Sequence, residues 1–452
     1  MRRSEHLRPF RLKEIAMHAR PLRLLLVTLS VALPLTIRAD QQDRRRGDAG
    51  DCRESEHHEH SANTPVHLSG VITVPGNPIT SADIAWVDPG TERYYFADRS
   101  NFGVDIIDAE TDVYLARVTG MAGPLPSGGG TSATNGPGPN GVLVTPNRRL
   151  WAGDGNSTVR VADVDPNSPN YLSLIGSIST ALPACDSAAA HYCGRADELG
   201  YDPRHHLILI ANNAPLSIAS PHAPIDPYAT FISADPPFAA VGHISFAGAG
   251  GLEQPLWDPE IRRFLLTVPG KIVAGVIATR PSIAVINPTS MTVEKSFVLD
   301  CQTLAGTTSV STTGIALAPF QHVLVSACGF PIILSALNGH VFNVVKQVGG
   351  GDEVWHNPGD GRFYVTGPDT STPPVVSLGV IDAETSRWLQ NVPDVRGKNP
   401  AAFAENNRVF TIVQVNAAIV ANPATDNSTC SLFGFRGTGC IAVFTHADDD
   451  DK

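Results

Sequence analysis

Residues 82–120 read ADIAWVDPGTERYYFADRSNFGVDIIDAETDVYLARVTG, and the punctuation of this stretch decides the fold. Ile84 to Val87 is a short apolar strand, closed by the turn Asp88-Pro89-Gly90. Tyr94 to Ala97 is a second strand, and Asp98 to Gly103 is a polar loop. Val104 to Asp108 is a third strand, followed by the tight turn Ala109-Glu110-Thr111, and Val113 to Val118 is a fourth. Short strands rich in aromatic and β-branched residues, separated by turn residues, predict one antiparallel sheet. A four-stranded sheet of this kind is one blade of a β-propeller.

The template recurs. Anchored on the turn after the first strand, it appears at Asp88-Pro89, Thr145-Pro146, Asp202-Pro203, Asp258-Pro259, Ala318-Pro319, Asn357-Pro358 and Asn406-Asn407, in steps of 57, 57, 56, 60, 39 and 49 residues. Seven anchors at blade-sized spacing predict an all-β, seven-bladed β-propeller. The third-strand signature Ile-Asp-Ala-Glu-Thr stands at Ile107 to Thr111 and again at Ile381 to Thr385, with a weaker copy at Ile286 to Thr289. The last unit supplies three strands only, Ala401 to Phe403, Arg408 to Val413 and Cys440 to Phe444. A lone strand within Val66 to Pro75 precedes the first unit. Pairing it with Cys440 to Phe444 would seal the ring and leave no exposed sheet edge at the seam. Six blades with a stray seventh unit is the alternative.

The 452 residues are 42% hydrophobic and 17% charged, which is enough to bury a sizeable core and too apolar for a disordered chain. After residue 40 no long stretch has helical periodicity. Residues 1–39 read as a signal peptide: Arg20 and Arg23 precede an apolar run from Leu24 to Ile37, too short to span a bilayer, with Ala39 at the cleavage position. Residues 40–64 read as a disordered linker, 65–446 as the propeller and 447–452 as an acidic tail. The first 39 residues hold eight Lys/Arg and two Glu, so their removal takes the formal charge from −11 to −17. So acidic a chain is a poor partner for nucleic acid or anionic membranes. The reading is a secreted or periplasmic monomer with no membrane span once the signal is removed. Export permits disulfides, and proximity pairs Cys185 with Cys193 and Cys430 with Cys440, leaving Cys301 and Cys328; six cysteines nonetheless allow fifteen connectivities.

The run of turn, aromatic strand, Ala-Asp-x-Ser-Asn loop and Val-x-Ile-Ile-Asp strand resembles the YVTN/NHL-like and lactonase-like propellers. Tyr94 to Thr111, Leu150 to Val164 and Phe363 to Thr385 carry the resemblance, which as an architecture covers most of residues 66–446. Such propellers include lactone hydrolases, C–O lyases, metal-dependent gluconolactonase-type enzymes and binding scaffolds, so the fold does not choose a function.

In a propeller the first strand of each blade lines the central channel, and by analogy ligands sit at the mouth where that strand begins. The residues six before the second residue of each anchor pair are Asp83, Asn140, Asp197, Glu253, Thr313, Asp352 and Ala401, with Glu198 and Glu353 as immediate neighbours. Side-chain alternation decides which of each pair points inward. Clustered oxygen donors suit Ca²⁺, Mg²⁺ or Mn²⁺. The gluconolactonase-like resemblance implies such an ion, held here by Asp83, Asn140, Asp197, Glu253 and Asp352, which would polarise a lactone or ester carbonyl and acidify a bound water. A solvated acidic channel is the alternative. Glu198, Glu353 and His356 are the candidate acid–base groups. On the loops between second and third strands, Arg99, Asn101, Asn212 and Lys271 are candidate substrate contacts, with turn-forming and solvent-exposed roles as alternatives. Trp86, Trp257 and Trp355 read as packing between blades.

No Gly-x-Ser-x-Gly elbow, phosphate loop, His-Glu-x-x-His or Cys-x-x-Cys-His occurs in the chain. Two functions therefore remain: an exported metal-dependent hydrolase or lyase of a small lactone- or ester-like substrate, or a non-catalytic propeller that binds a small or extracellular ligand or a protein. The sequence leaves open whether the protein is an enzyme.

Overall fold

The computed structural model describes residues 64–123, 138–155, 157–182, 194–213 and 226–446. The described residues all belong to one compact unit. The signal, nearly all of the linker, the acidic tail, the Cys185–Cys193 pair and most of the Gly-, Pro- and Ser-rich stretches 121–139 and 214–230 lie outside them.

Seven four-stranded antiparallel sheets form the blades. Blade one is Ala85–Asp88, Arg93–Asp98, Gly103–Asp108 and Val113–Thr119, as its turn residues predict. The inner strands of blades two to seven are Val142–Thr145, Ala196–Asp202, Pro255–Asp258, Thr312–Ala318, Val354–Asn357 and Gly397–Phe403. Each packs beside the next, and the seventh packs beside the first, so the ring closes. The seam is the predicted one. Val66–Ile72 pairs antiparallel with Cys440–His446 as the outer strand of blade seven. Blade seven thereby gains its fourth strand, and Cys440–His446 is not left as the sheet edge.

Local chemistry explains the repeat. In every blade the turn after the inner strand ends on a left-handed residue: Glu92, Arg148, His206, Arg262, Gln321, Gly361 and Asn407, with φ between 52° and 67°. The Ile-Asp-Ala-Glu-Thr signature is an Asx turn. Asp108 Oδ1 accepts from the N–H groups of Glu110 and Thr111, and Asp382 Oδ1 accepts from that of Thr385.

These turns also correct the register of the last blade. Asn407 is equivalent to Gly361, so the residue equivalent to Asn357 is Phe403. The anchor Asn406-Asn407 therefore lies three residues too late in its turn. The ring position assigned to Ala401 belongs instead to Lys398. A turn without proline removed the marker that fixed the other six.

Between blades the cores are apolar. At the seam Tyr94 of blade one packs on Phe410 of blade seven, with 4.9 Å between ring centroids. Cys301–Cys328 and Cys430–Cys440 are disulfides, in the arrangement that sequence proximity suggested. They point to a non-reducing environment. Among the described residues no helix is long and apolar enough to cross a membrane.

Candidate functional site

The inner strands begin at one mouth of the channel, and the seven equivalent residues there are Asp83, Asn140, Asp197, Glu253, Thr313, Asp352 and Lys398. Lys398 Nζ lies 3.4 Å from Asp352 Oδ2 and 3.8 Å from Asp83 Oδ1, its neighbours on either side. Arg99, from the loop between the second and third strands of blade one, pairs with Asp83. It also donates to Asn140 Oδ1 from Nη2 at 2.6 Å. The other end of Asn140 donates to the Ala196 carbonyl at 2.7 Å, tying blade two to blade three. Arg195 clamps Asp197 Oδ2 through Nε and Nη2 at 2.9 and 2.7 Å. Asn213 then bridges Asp197 and Glu253, donating at 3.1 and 3.2 Å.

One residue further along the strands lies a second tier: Ile84, Gly141, Glu198, Gln254, Gly314, Glu353 and Asn399. Inner strands are sheet edges, and their outward N–H groups need acceptors. Glu353 Oε2 accepts from Ala85 N–H at 2.9 Å, and Gln254 Oε1 accepts from Ile315 N–H at 2.7 Å. Asn399, in the left-handed region, accepts from Glu353 N–H at 3.2 Å. The remaining oxygen Oε1 of Glu353 and Oε2 of Glu198 are buried without a hydrogen-bond partner.

Charge is distributed unevenly around the mouth. Burial would raise the Asp83 carboxyl, but Arg99, Lys398 and Arg195 outweigh it and hold the group below its ordinary value. Glu198 is pushed well above the usual carboxylate range by burial and then by Glu253, Asp197, Asp352 and Glu353. Burial, Asp197 and Asp352 do the same to Glu253. Glu353 is raised by burial, against the Ala85 N–H, and further by Asp352 and Asp83. Lys398, Arg99 and Arg195 serve the Asp83, Asp197 and Asp352 carboxylates. Among the described residues no basic side chain is in ion-pair contact with Glu198 or Glu253.

The structure thus brings Asp83, Asn140, Asp197, Glu198, Glu253, Asp352, Glu353 and Arg99 to one mouth. The other candidates lie elsewhere. Asn101 fastens the loop before blade one, its amide donating to the Asn77 carbonyl and to Asp98. Asn212 is fully buried, donating to Thr180 and accepting from Thr230 at 2.7 and 2.8 Å. Lys271 is exposed on a hairpin, Lys271–Val273 with Val276–Thr279, inserted in blade four. His356 lies three residues beyond Glu353 on the same strand, in the wall of a cavity at the channel's other end. Trp86, Trp257 and Trp355, read as packing between blades, line that cavity too. Lys398 and Arg195 escape the sequence reading, which marks the Asn212-Asn213 loop but takes Asn212 as the contact where the structure uses Asn213. A misplaced turn hid Lys398. Arg195 stands two residues before Asp197, and no motif marks it.

The ring does not fit the divalent ion that the lactonase-like resemblance implies. Oxygens that an ion would need on Asp83, Asn140, Asp197 and Asp352 already face Arg99, Arg195 and Lys398. Among the described residues no group of three or more His, Cys, Asp or Glu is arranged to hold a metal.

No family model and no curated protein matches the chain. Among solved structures it is similar to a chain from the crystal structure of a mitotic checkpoint complex, with a TM-score of 0.51 and 12% identity over 84% of this chain and 96% of that one. A likeness at that identity establishes the propeller fold alone.

Proposed function

We propose that this protein is an exported ligand-binding propeller whose polar mouth takes a small organic molecule bearing an ammonium or guanidinium group. One observation carries the reading. Glu198, buried, and Glu253, half-buried, lie on neighbouring blades three and four without an ion-pair partner among the described residues, while three cations serve Asp83, Asp197 and Asp352. A cation placed beside Glu198 and Glu253 would relieve their mutual repulsion. Among the described residues no three carboxyls are grouped to hold a metal ion. A larger cation with several N–H donors could reach more than one of them. Both disulfides fit passage through an oxidising compartment, as the N-terminal signal reading also requires.

Titration calorimetry with agmatine tests this. Binding that weakens about tenfold or more in Glu198→Gln and Glu253→Gln supports it. No heat above that of a neutral amide of the same size rejects it.

A second reading has support from the raised carboxyls. Glu253, whose carboxyl burial and the neighbouring Asp197 and Asp352 push towards the protonated form, has the character of a general acid for opening a lactone or ester. It would place the chain with the lactonase-like propellers. Hydrolysis of dihydrocoumarin that is lost in Glu253→Gln would favour it over simple binding.

A further inference from the structure

Beyond the tier of Glu198 and Glu353, the inner strands of blades one to six enclose a cavity of about 490 Å³. Trp86, Trp257, Trp355, Tyr201, Leu256 and His356 form much of its wall, and no charged side chain lines it. The repeat explains why the space exists. Trp86 and Trp355 occupy one equivalent position, where the other blades carry Leu143, Gly200, Leu256, Ala316 and Ala401. Ala401, small, lets the two indoles meet past blade seven, edge to face with 5.5 Å between centroids. Gly200 and Ala316 leave open the volume that large side chains would fill. Gly200 has a further reason to be small: a Cβ there would sit 3.0 Å from the Pro255 carbonyl oxygen of the next blade.

We propose that this end of the channel is a second binding site, for a neutral, flat, largely apolar small molecule. Its volume lies within the range of about 300–1,000 Å³ typical of small-molecule sites. Aromatic walls favour flat apolar rings. A charged ligand would lose its water there without gaining a counter-charge. Burial holds the His356 imidazole down at about 4, so it adds no charge near neutral pH. The cavity adjoins the second tier of the mouth at Gln254, and the proposal does not depend on how the mouth is used.

Two dyes with the same ring skeleton test the proposal on the intact protein: neutral N-phenyl-1-naphthylamine and anionic 8-anilinonaphthalene-1-sulfonate. The neutral dye is expected to bind saturably, one per chain, with energy transfer from tryptophan, and about tenfold or more tighter than the sulfonate. Ala316→Phe and Leu317→Trp fill the cavity and should each weaken it about tenfold or more, while Glu253→Gln leaves it unchanged. Equal binding of the two dyes, or undiminished binding to both filled variants, overturns the proposal. Should a filled variant lose its strand circular dichroism, the comparison of dyes on the unaltered protein decides.

Discussion

The carboxyl of Glu353 in blade six accepts a hydrogen bond from the backbone N–H of Ala85 in blade one at 2.9 Å, although 268 residues separate them in sequence. It reaches past blade seven, whose equivalent residue is the shorter Asn399. A side chain marked for chemistry by its position is thus also a strut of the ring. Truncating it should leave a buried N–H unpaired, at a cost of about 1–3 kcal/mol. Glu353→Ala should therefore lower the urea midpoint, whereas Glu353→Gln keeps an acceptor and should match or exceed the parent at pH 8. Equal losses in both variants would remove the strut role.

Glu198, Glu253 and Glu353 all sit above the ordinary carboxylate range. Each keeps its proton in the folded state at a pH where the unfolded chain has lost it. The native state then binds more protons, so stability falls as pH rises from the usual carboxylate value through the raised one. Thermal midpoints should decline over that window. The double variant Glu198→Gln/Glu253→Gln should flatten the decline, and an unchanged slope would refute the assignment.

His356 behaves in the opposite sense. Its folded value of about 4 lies below the ordinary 6.5, so the unfolded chain takes up the proton first. Stability is lost as pH falls from 6.5 towards 4. Replacing His356 with Phe should reduce acid sensitivity in that interval, read as the denaturant midpoint at successive pH values.

Lys398 stands between Asp83 and Asp352. Being partly exposed, the pair interactions are worth about 1 kcal/mol or less. Lys398→Met should cost about that much, with the loss shrinking in high salt. Indifference to salt would show that packing, not charge, is responsible.

Much of this was legible in the sequence, for physical reasons. Strand and turn residues alternate at a period set by blade geometry, so the sheets and the ring closure by Val66–Ile72 are legible, while Cys430–Cys440 is suggested by proximity and Cys301–Cys328 as the remaining pair. Aligning inner strands on their turns collected the acidic ring, because equivalent positions must meet around one axis. The same device failed where the turn lacked proline, and Lys398 was lost with it. Counter-charges were harder still. Arg99 was noticed on a loop, but its pairing with Asp83 depends on the approach of two non-adjacent segments. The apolar cavity had no motif, since it arises from small residues at Gly200 and Ala316 facing large ones elsewhere.

The central claim is that Glu198 and Glu253 form an unbalanced acidic pair awaiting an organic cation. Calorimetric titration of agmatine at successive pH values above the ordinary carboxylate value, in two buffers of different ionisation heat, tests it most directly. Binding should ionise the pair, release protons and give a buffer-dependent enthalpy that vanishes in Glu198→Gln/Glu253→Gln. An enthalpy independent of buffer and untouched by the double variant would contradict the account.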